Sequence, residues 1–293
     1  MAVWSTATGK LEQAAALDPV ANGLEKVIST VLPRGRVKDL LHGTWLGHQL
    51  HPLLVAVPIG LWSGVSLLDL TAAKDKGARR AAQRLVGAGV LAALPAAASG
   101  AADYSELGAF QRPKRVGAVH SAANNLTLVL YTASWLARRK GNQARGARLA
   151  LAGAATMSVG GYLGGHLAYA EGVGVNRNAD LPKEPTDWTD VDLDPTTVLE
   201  GDMKRVEVAG QQVLLARTAN GLQAIGAVCG HYGAPLEQGE LKAGGDACVV
   251  CPWHASEFRM RDGKVVHGPA TSPQPSYEVR TPAAGKLQLR IRA

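Results

Sequence analysis

Four stretches of this chain, about residues 52–71, 85–102, 116–137 and 149–170, contain no acid or base apart from Asp69 near the end of the first. Rising 1.5 Å per residue as helices, each covers close to the hydrocarbon thickness of a bilayer, about 30 Å. The pattern predicts four spans, and hence an all-α four-helix membrane bundle over residues 46–175. A soluble alanine-rich bundle is the alternative, but its helices would carry a charged face at heptad spacing, and these stretches carry none. Charges collect between the stretches instead. Lys74, Lys76, Arg79, Arg80 and Arg84 follow the first, and Arg138, Arg139, Lys140, Arg145 and Arg148 follow the third. Alternation puts both loops on one side, which the positive-inside rule makes cytoplasmic. The N-terminus and everything after the fourth span then lie on the extracytoplasmic side of a cell membrane. The formal net charge of +7 reads as topology, and no nucleic-acid partner is expected. No secretory signal is visible before the first apolar run, and Arg138-Arg139 lacks the apolar residues that follow a twin-arginine export pair.

Residues 1–45 read as an amphipathic, interfacial segment that lies on the membrane or on the bundle. Asp18-Pro19 suggests an N-cap and first-turn proline, followed by Val20, Leu24, Val27, Ile28 and Val31 at helical spacing. Residues 176–194 are polar, acidic and proline-bearing, which predicts a semi-extended linker that lets the following domain move between partners. From 195 to 293 the pattern changes to short alternating runs, among them RVEVAG, QVLLARTA, LQAIGAV and KLQLRIR. Asn220-Gly221, Gly244-Gly245 and Asp262-Gly263 punctuate them, which predicts a small all-β sandwich or barrel.

Within that β region, Cys229 and His231 form one mixed pair, and Cys251 and His254 form a second about twenty residues on. Two thiolates and two imidazoles suit a 2Fe-2S cluster or a tetrahedral zinc ion. Zinc pairs usually run Cys-x-x-Cys and then His-x-x-His, whereas these are mixed. Cys248 lies in the apolar run ACVV and reads as a small core hydrophobe. His267 reads as a surface histidine.

The segments CGHYGAPLEQG and CPWHASEF, with the flanking LLARTANGLQAIGAVCGH and DGKVVHGPATSPQPSYEV, resemble the Rieske iron-sulfur domain. The resemblance implies a C-terminal all-β domain with a 2Fe-2S cluster on Cys229, His231, Cys251 and His254, and a loop, GPATSPQP, that covers it. It also implies a second layer in which the Ser256 hydroxyl bonds a bridging sulfide. High-potential members have a disulfide-forming cysteine in each ligand loop, where this chain has Ala234 and Trp253, and a tyrosine where it has Phe258. Fewer bonds to the sulfurs imply a ferredoxin-like, low to middle potential. Ala255 departs from the family's glycine after the second histidine, which puts the turn there in question.

HQLHPLLVAVPIGL and GGHLAYAEGVGV make residues 42–175 similar to a family of uncharacterised bacterial four-span membrane domains. Alternation of spans places His48 and His51, His120, and His166 at one membrane face. Three readings compete: a b-type haem held by two histidines, a quinone-head or metal site, or interfacial histidines that cap helices. Asn124 and Asn125, a turn deeper than His120, read as bonding within the bundle.

Taken with the resemblance, the chain reads as a membrane-anchored electron carrier, an oxidoreductase component that takes one electron from a redox partner protein and passes it on. The partner would be a reductase, an oxygenase or a respiratory component. Alternatives are a quinol- or quinone-linked oxidoreductase subunit using the histidine face, and a redox-sensing module without turnover. About forty residues follow His254, too few for the catalytic iron domain of a Rieske oxygenase, so an oxygenase would be a separate partner.

Overall fold

The computed structural model describes residues 3–282 and 285–292. They fall into two compact units: residues up to 33 together with 50–173, and residues 34–49 together with 174–292.

The helical unit holds six α-helices among the described residues: α1 (Val3–Gln13), α2 (Asp18–Val31), α4 (His51–Thr71), α5 (Lys76–Tyr104), α6 (Gln111–Arg139) and α7 (Gln143–Tyr169). Each expected stretch lies within one of the last four, apart from Ala170 at the end of the fourth. α4 pairs with α5 and α6 with α7, while α5 against α6 and α4 against α7 close the bundle. Asp75 starts α5 by accepting the Ala78 N–H at 2.6 Å, and Asn142 starts α7 by accepting that of Arg145 at 3.0 Å. The core forms around Trp62 stacked on Tyr131, with ring centroids 4.1 Å apart, packed by Val65, Val86 and Ala150. Glycines admit the large rings: a Cβ on Gly89 would collide with the Trp62 ring, and one on Gly153 would lie 2.8 Å from Tyr131. Asp69, the lone acid in the apolar stretches, is paired with buried Arg138, whose Nη1 donates to Oδ1 at 3.0 Å.

Two of these helices, α4 and α5, are long and apolar enough to cross a membrane. In a soluble bundle their leucines would turn inward, yet Leu70 is 77% and Leu91 69% exposed. α2 shows the same inversion. Its polar side meets α6, where Lys114 Nζ contacts Glu25 Oε2 at 2.7 Å and Arg115 holds Asp18 at 2.6 Å, while Val20, Val27 and Val31 face outward. Asp18 is therefore an ion-pair partner and not the expected cap; Leu17 occupies the N-cap position.

The helix count exceeds the four of the expected bundle, because the segment before it holds not only the helix expected after Asp18-Pro19 but two more. Part of it belongs elsewhere: α3 (Arg36–His42) is in the second unit.

The rest of the second unit is β. A six-stranded antiparallel sheet runs in the order β1-β10-β9-β4-β3-β2, built from β1 (Thr189–Val191), β2 (Met203–Val208), β3 (Gln211–Thr218), β4 (Gly221–Gly226), β9 (Ser276–Arg280) and β10 (Leu287–Ile291). A four-stranded sheet, β5-β6-β7-β8, contains β5 (Glu240–Lys242), β6 (Cys248–Val250), β7 (Glu257–Arg259) and β8 (Val265–His267). Leu214 and Ile225 of the first sheet share a core with Val249, Phe258 and Met260 of the second or its margins. The glycine turns fall between strands as expected, with Gly221 and Gly263 at φ +91° and +69°.

The expected linker is part of this unit. Thr189–Val191 pairs with β10. Upstream of it, the Arg177 N–H donates to Gly230 O at 2.8 Å, and Asn178 Nδ2 to both Val228 O and Gln274 Oε1 at 2.8 Å. A proline-bearing acidic composition gave no sign of these bonds, because their partners lie fifty or more residues away.

Candidate metal centre

Two loops of like construction carry the four candidate ligands. In the first, which follows β4, the Gly233 N–H closes back on Cys229 O at 2.9 Å, and the Cys229 N–H donates to Ala234 O at 2.8 Å. In the second, between β6 and β7, the Ala255 N–H closes on Cys251 O at 3.0 Å, and the Cys251 N–H donates to Ser256 O at 2.8 Å. Each turn is completed by a residue with positive φ, Gly233 at +81° and Ala255 at +51°. The turn that Ala255 put in question is thus formed, with an alanine in a left-handed conformation that glycine adopts more cheaply. In the first loop Gly230 admits close neighbours, since a Cβ there would lie 2.8 Å from Asn176 Oδ1.

These turns bring the side chains together. The Cys229 and Cys251 thiols are buried and hydrogen-bonded to each other. Backbone N–H groups of His231 and Tyr232 point at the Cys229 sulfur, and those of Trp253 and His254 at the Cys251 sulfur. Cys251 is pulled down to about 6 by the hydrogen bond from Cys229, then by its two backbone donors and the charge of Arg34, although burial opposes this. Sharing that hydrogen and burial push Cys229 up. The imidazoles of His231 and His254 stand 5.0 Å apart between centroids, nearly perpendicular. Burial, then His254, His42 and Arg177, keep His231 neutral well below the usual histidine range, which is the ligating form. Its buried Nδ1 has no hydrogen-bond partner among the described residues. A buried ring nitrogen left so, beside a thiol pair with four aimed N–H donors, fits a metal cluster.

Around the ligands, Ser256 is fully buried and its Oγ accepts the Ala270 N–H of the covering loop at 2.9 Å, which leaves its own hydrogen to donate. Phe258 is fully buried in the shared core. Tyr232 lies edge-on to His231 at 4.6 Å and carries Arg177 over its face at 5.6 Å. Cys248 lies in β6, its thiol pushed up by burial, in keeping with an inert core role.

Residues 187–278 match the family described as the Rieske [2Fe-2S] domain, and residues 47–177 match a family of predicted membrane proteins, DUF2231. The 3-phenylpropionate/cinnamic acid dioxygenase ferredoxin subunit of Escherichia coli K12 is 34% identical over 82 residues, which is 28% of this chain and 74% of that protein. The chain belongs to the Rieske [2Fe-2S] family. Its Rieske domain is an electron-transfer domain of the kind that carries a 2Fe-2S cluster. Apoptosis-inducing factor 3 of Mus musculus is 35% identical over 80 residues, and the chain spans only 13% of its length. Among solved structures, the ferredoxin of carbazole 1,9a-dioxygenase from Nocardioides aromaticivorans IC177 is 22% identical, covering 36% of this chain and all of that one at a TM-score of 0.34.

The histidines of the helical unit do not form one group. His51 and His120 have ring centroids 6.3 Å apart. His166 is bound instead to Glu12 through Nε2 at 2.8 Å, in a cluster with Glu171 and Arg112. His48 belongs to the unit that contains the Rieske domain, its Nδ1 2.9 Å from Gln49 O. Spacing along spans gives depth but not the side of a helix on which each ring emerges. Asn124 bonds His120 O at 3.0 Å and Asn125 bonds Ser121 at 3.3 Å, both within α6. His267 is about half exposed and bound to Asp39 at 2.8 Å. Arg34, Asp39, His42 and Arg177 went unnoticed in the sequence, since nothing in their local pattern marks a distant partner.

Proposed function

We propose that Cys229 and Cys251 hold one iron and His231 and His254 the other, in a membrane-anchored protein that passes single electrons between a redox partner and an acceptor. The convergence of four ligand side chains from two like-built loops carries this reading. When bound, the cluster supplies reversible one-electron chemistry. The chain's residues do the rest. Four backbone N–H groups stabilise sulfur charge, Ser256 offers one hydroxyl donor, and Phe258 keeps water out without adding another. With neither the disulfide nor the tyrosine of high-potential members, the potential falls in the ferredoxin-like, low to middle range. That range suits taking electrons from a reductase and delivering them to an oxygenase-type partner better than oxidation of a quinol. The Escherichia coli relative, a dioxygenase ferredoxin subunit, supports such a partner.

The test is metal analysis with optical and EPR spectra of the full chain purified in detergent without oxygen. Two irons and two sulfides per chain are expected, lost in His254→Ala and Cys251→Ala. Zinc, or no iron, overturns the proposal.

A second reading concerns His51 and His120. Nδ1 of each faces a carbonyl, Ala96 O at 2.9 Å and Gly160 O at 2.8 Å, so each donates from Nδ1 and carries its lone pair on Nε2, which in His120 accepts from Asn124 Nδ2 at 3.1 Å, a bond that a ligand there would displace. That tautomer suits a haem iron or a quinol hydroxyl. The same spectra decide the haem: no Soret band eliminates it, and a band lost in His51→Ala supports it.

A further inference from the structure

Residues 34–46 lie outside both matched families, yet they pack on the cluster loops. Arg34 Nη2 donates to His254 O, the carbonyl of a candidate ligand, at 3.0 Å. Asp39, in α3, accepts from His267 Nδ1 at 2.8 Å and from the Gly268 N–H at 2.9 Å, at the start of the covering loop. Farther along that loop, Ser272 Oγ donates to Gly47 O at 3.1 Å. Gly268 is closely packed by this segment, since a Cβ on it would lie 3.1 Å from Thr44 and 3.3 Å from His42. The covering loop also holds Ala270, whose N–H orients the Ser256 hydroxyl. From 34 to 49 the segment carries Arg34, Arg36 and Lys38 against the single acid Asp39.

We infer that residues 34–49 are a working part of the cluster site, in which Arg34 is a positioning residue that raises the potential and Asp39 fastens the covering loop over the ligands. Reduction adds one negative charge to a centre already bearing two thiolates. A guanidinium fixed on the His254 carbonyl favours the more negative, reduced state, so it raises the midpoint. Arg34 is solvent-exposed, and its effect is partly screened and falls with ionic strength. Asp39 acts through geometry. It holds the strand end and loop that carry the Ala270 N–H, and so keeps Ser256 turned toward the sulfur ligands.

The inference rests on the cluster reading, and one experiment separates the two. Iron content and EPR of the full wild-type chain come first; if no 2Fe-2S signal is present, the cluster reading itself fails. With the signal present, redox titration of Arg34→Gln at low salt is expected to lower the midpoint, shifting the equilibrium with a fixed mediator up to about tenfold, or 59 mV for one electron. Arg34→Lys keeps the charge and is expected to remain near wild type, a rescue that a purely structural role does not give. Asp39→Ala is expected to lose its cluster several-fold faster in air at an unchanged initial iron content. A fully loaded Arg34→Gln protein with the wild-type midpoint overturns the assignment of Arg34. If that variant fails to load, a wild-type midpoint independent of ionic strength overturns it instead, and an Asp39→Ala protein with the wild-type cluster lifetime overturns the fastening role.

Discussion

At the scale of single residues, Ala255 and Phe258 are two of the positions where the Rieske resemblance implies a different residue, and each has a physical consequence. Ala255 holds φ +51° because its N–H must close the second ligand loop on Cys251. An alanine there costs about 1 kcal/mol more than glycine, partly offset by the freedom that glycine regains when unfolded. Ala255→Gly should therefore stabilise the loaded domain by up to about 1 kcal/mol, seen as a higher midpoint for thermal bleaching of the cluster. Phe258 is fully buried two residues from Ser256. Phe258→Tyr adds a donor where high-potential relatives carry one, and is expected to raise the midpoint by redox titration. An unchanged midpoint at full loading means that the new hydroxyl does not reach sulfur. The four candidate ligands were legible in the sequence because ligand chemistry restricts both residue type and spacing. Arg34 and Asp39 were not, because a contact across more than two hundred residues leaves no local period.

Among elements, legibility followed length and repetition. The long helices announced themselves through charge-free stretches, and most strands through alternation. β1 and β5 were missed: each has three residues, too few for a period of two to register, and β1 exists because β10 offers it an edge. Close packing within the bundle was foreshadowed only partly. Gly160 and Gly164, four residues apart on α7, form a small-residue pair of the kind that allows close approach, and both admit side chains of α6, Asn124 and His120. The fits around the aromatic stack, at Gly89 and Gly153, depend on where Trp62 and Tyr131 point, which helical spacing alone does not give. Gly153→Ala puts a methyl 2.8 Å from the Tyr131 ring and must disturb its stack on Trp62. Overpacking of this kind costs about 1–3 kcal/mol. Gly161→Ala, with nothing within 4 Å of the new atom, should be near neutral or better in the same helix. Detergent thermal denaturation followed by tryptophan fluorescence compares the two, and equal midpoints count against the packing described.

For the whole molecule, the make-up of the second unit limits the topology. Residues 34–49 precede the bundle and residues 174–292 follow it, yet they fold together. Two pieces of one folded unit must lie on the same side of a membrane, so any crossings by the chain between them are even in number. Two crossings, by α4 and α5 alone, satisfy this, and so do four. The loop between α6 and α7 separates the two cases: with four crossings it lies opposite the Rieske domain, and with two it lies on the same side. Lys140 with the arginines of the helix ends beside it, and Lys74 with the basic residues that open α5, favour four crossings with both loops cytoplasmic. Single cysteines test this in intact cells with a membrane-impermeant maleimide, since the three native cysteines are buried. Glu200→Cys should label from outside, whereas Lys74→Cys and Lys140→Cys should label only after permeabilisation. Labelling of Lys140→Cys together with Glu200→Cys reduces the count to two crossings, and the reverse of the whole pattern places the Rieske domain in the cytoplasm.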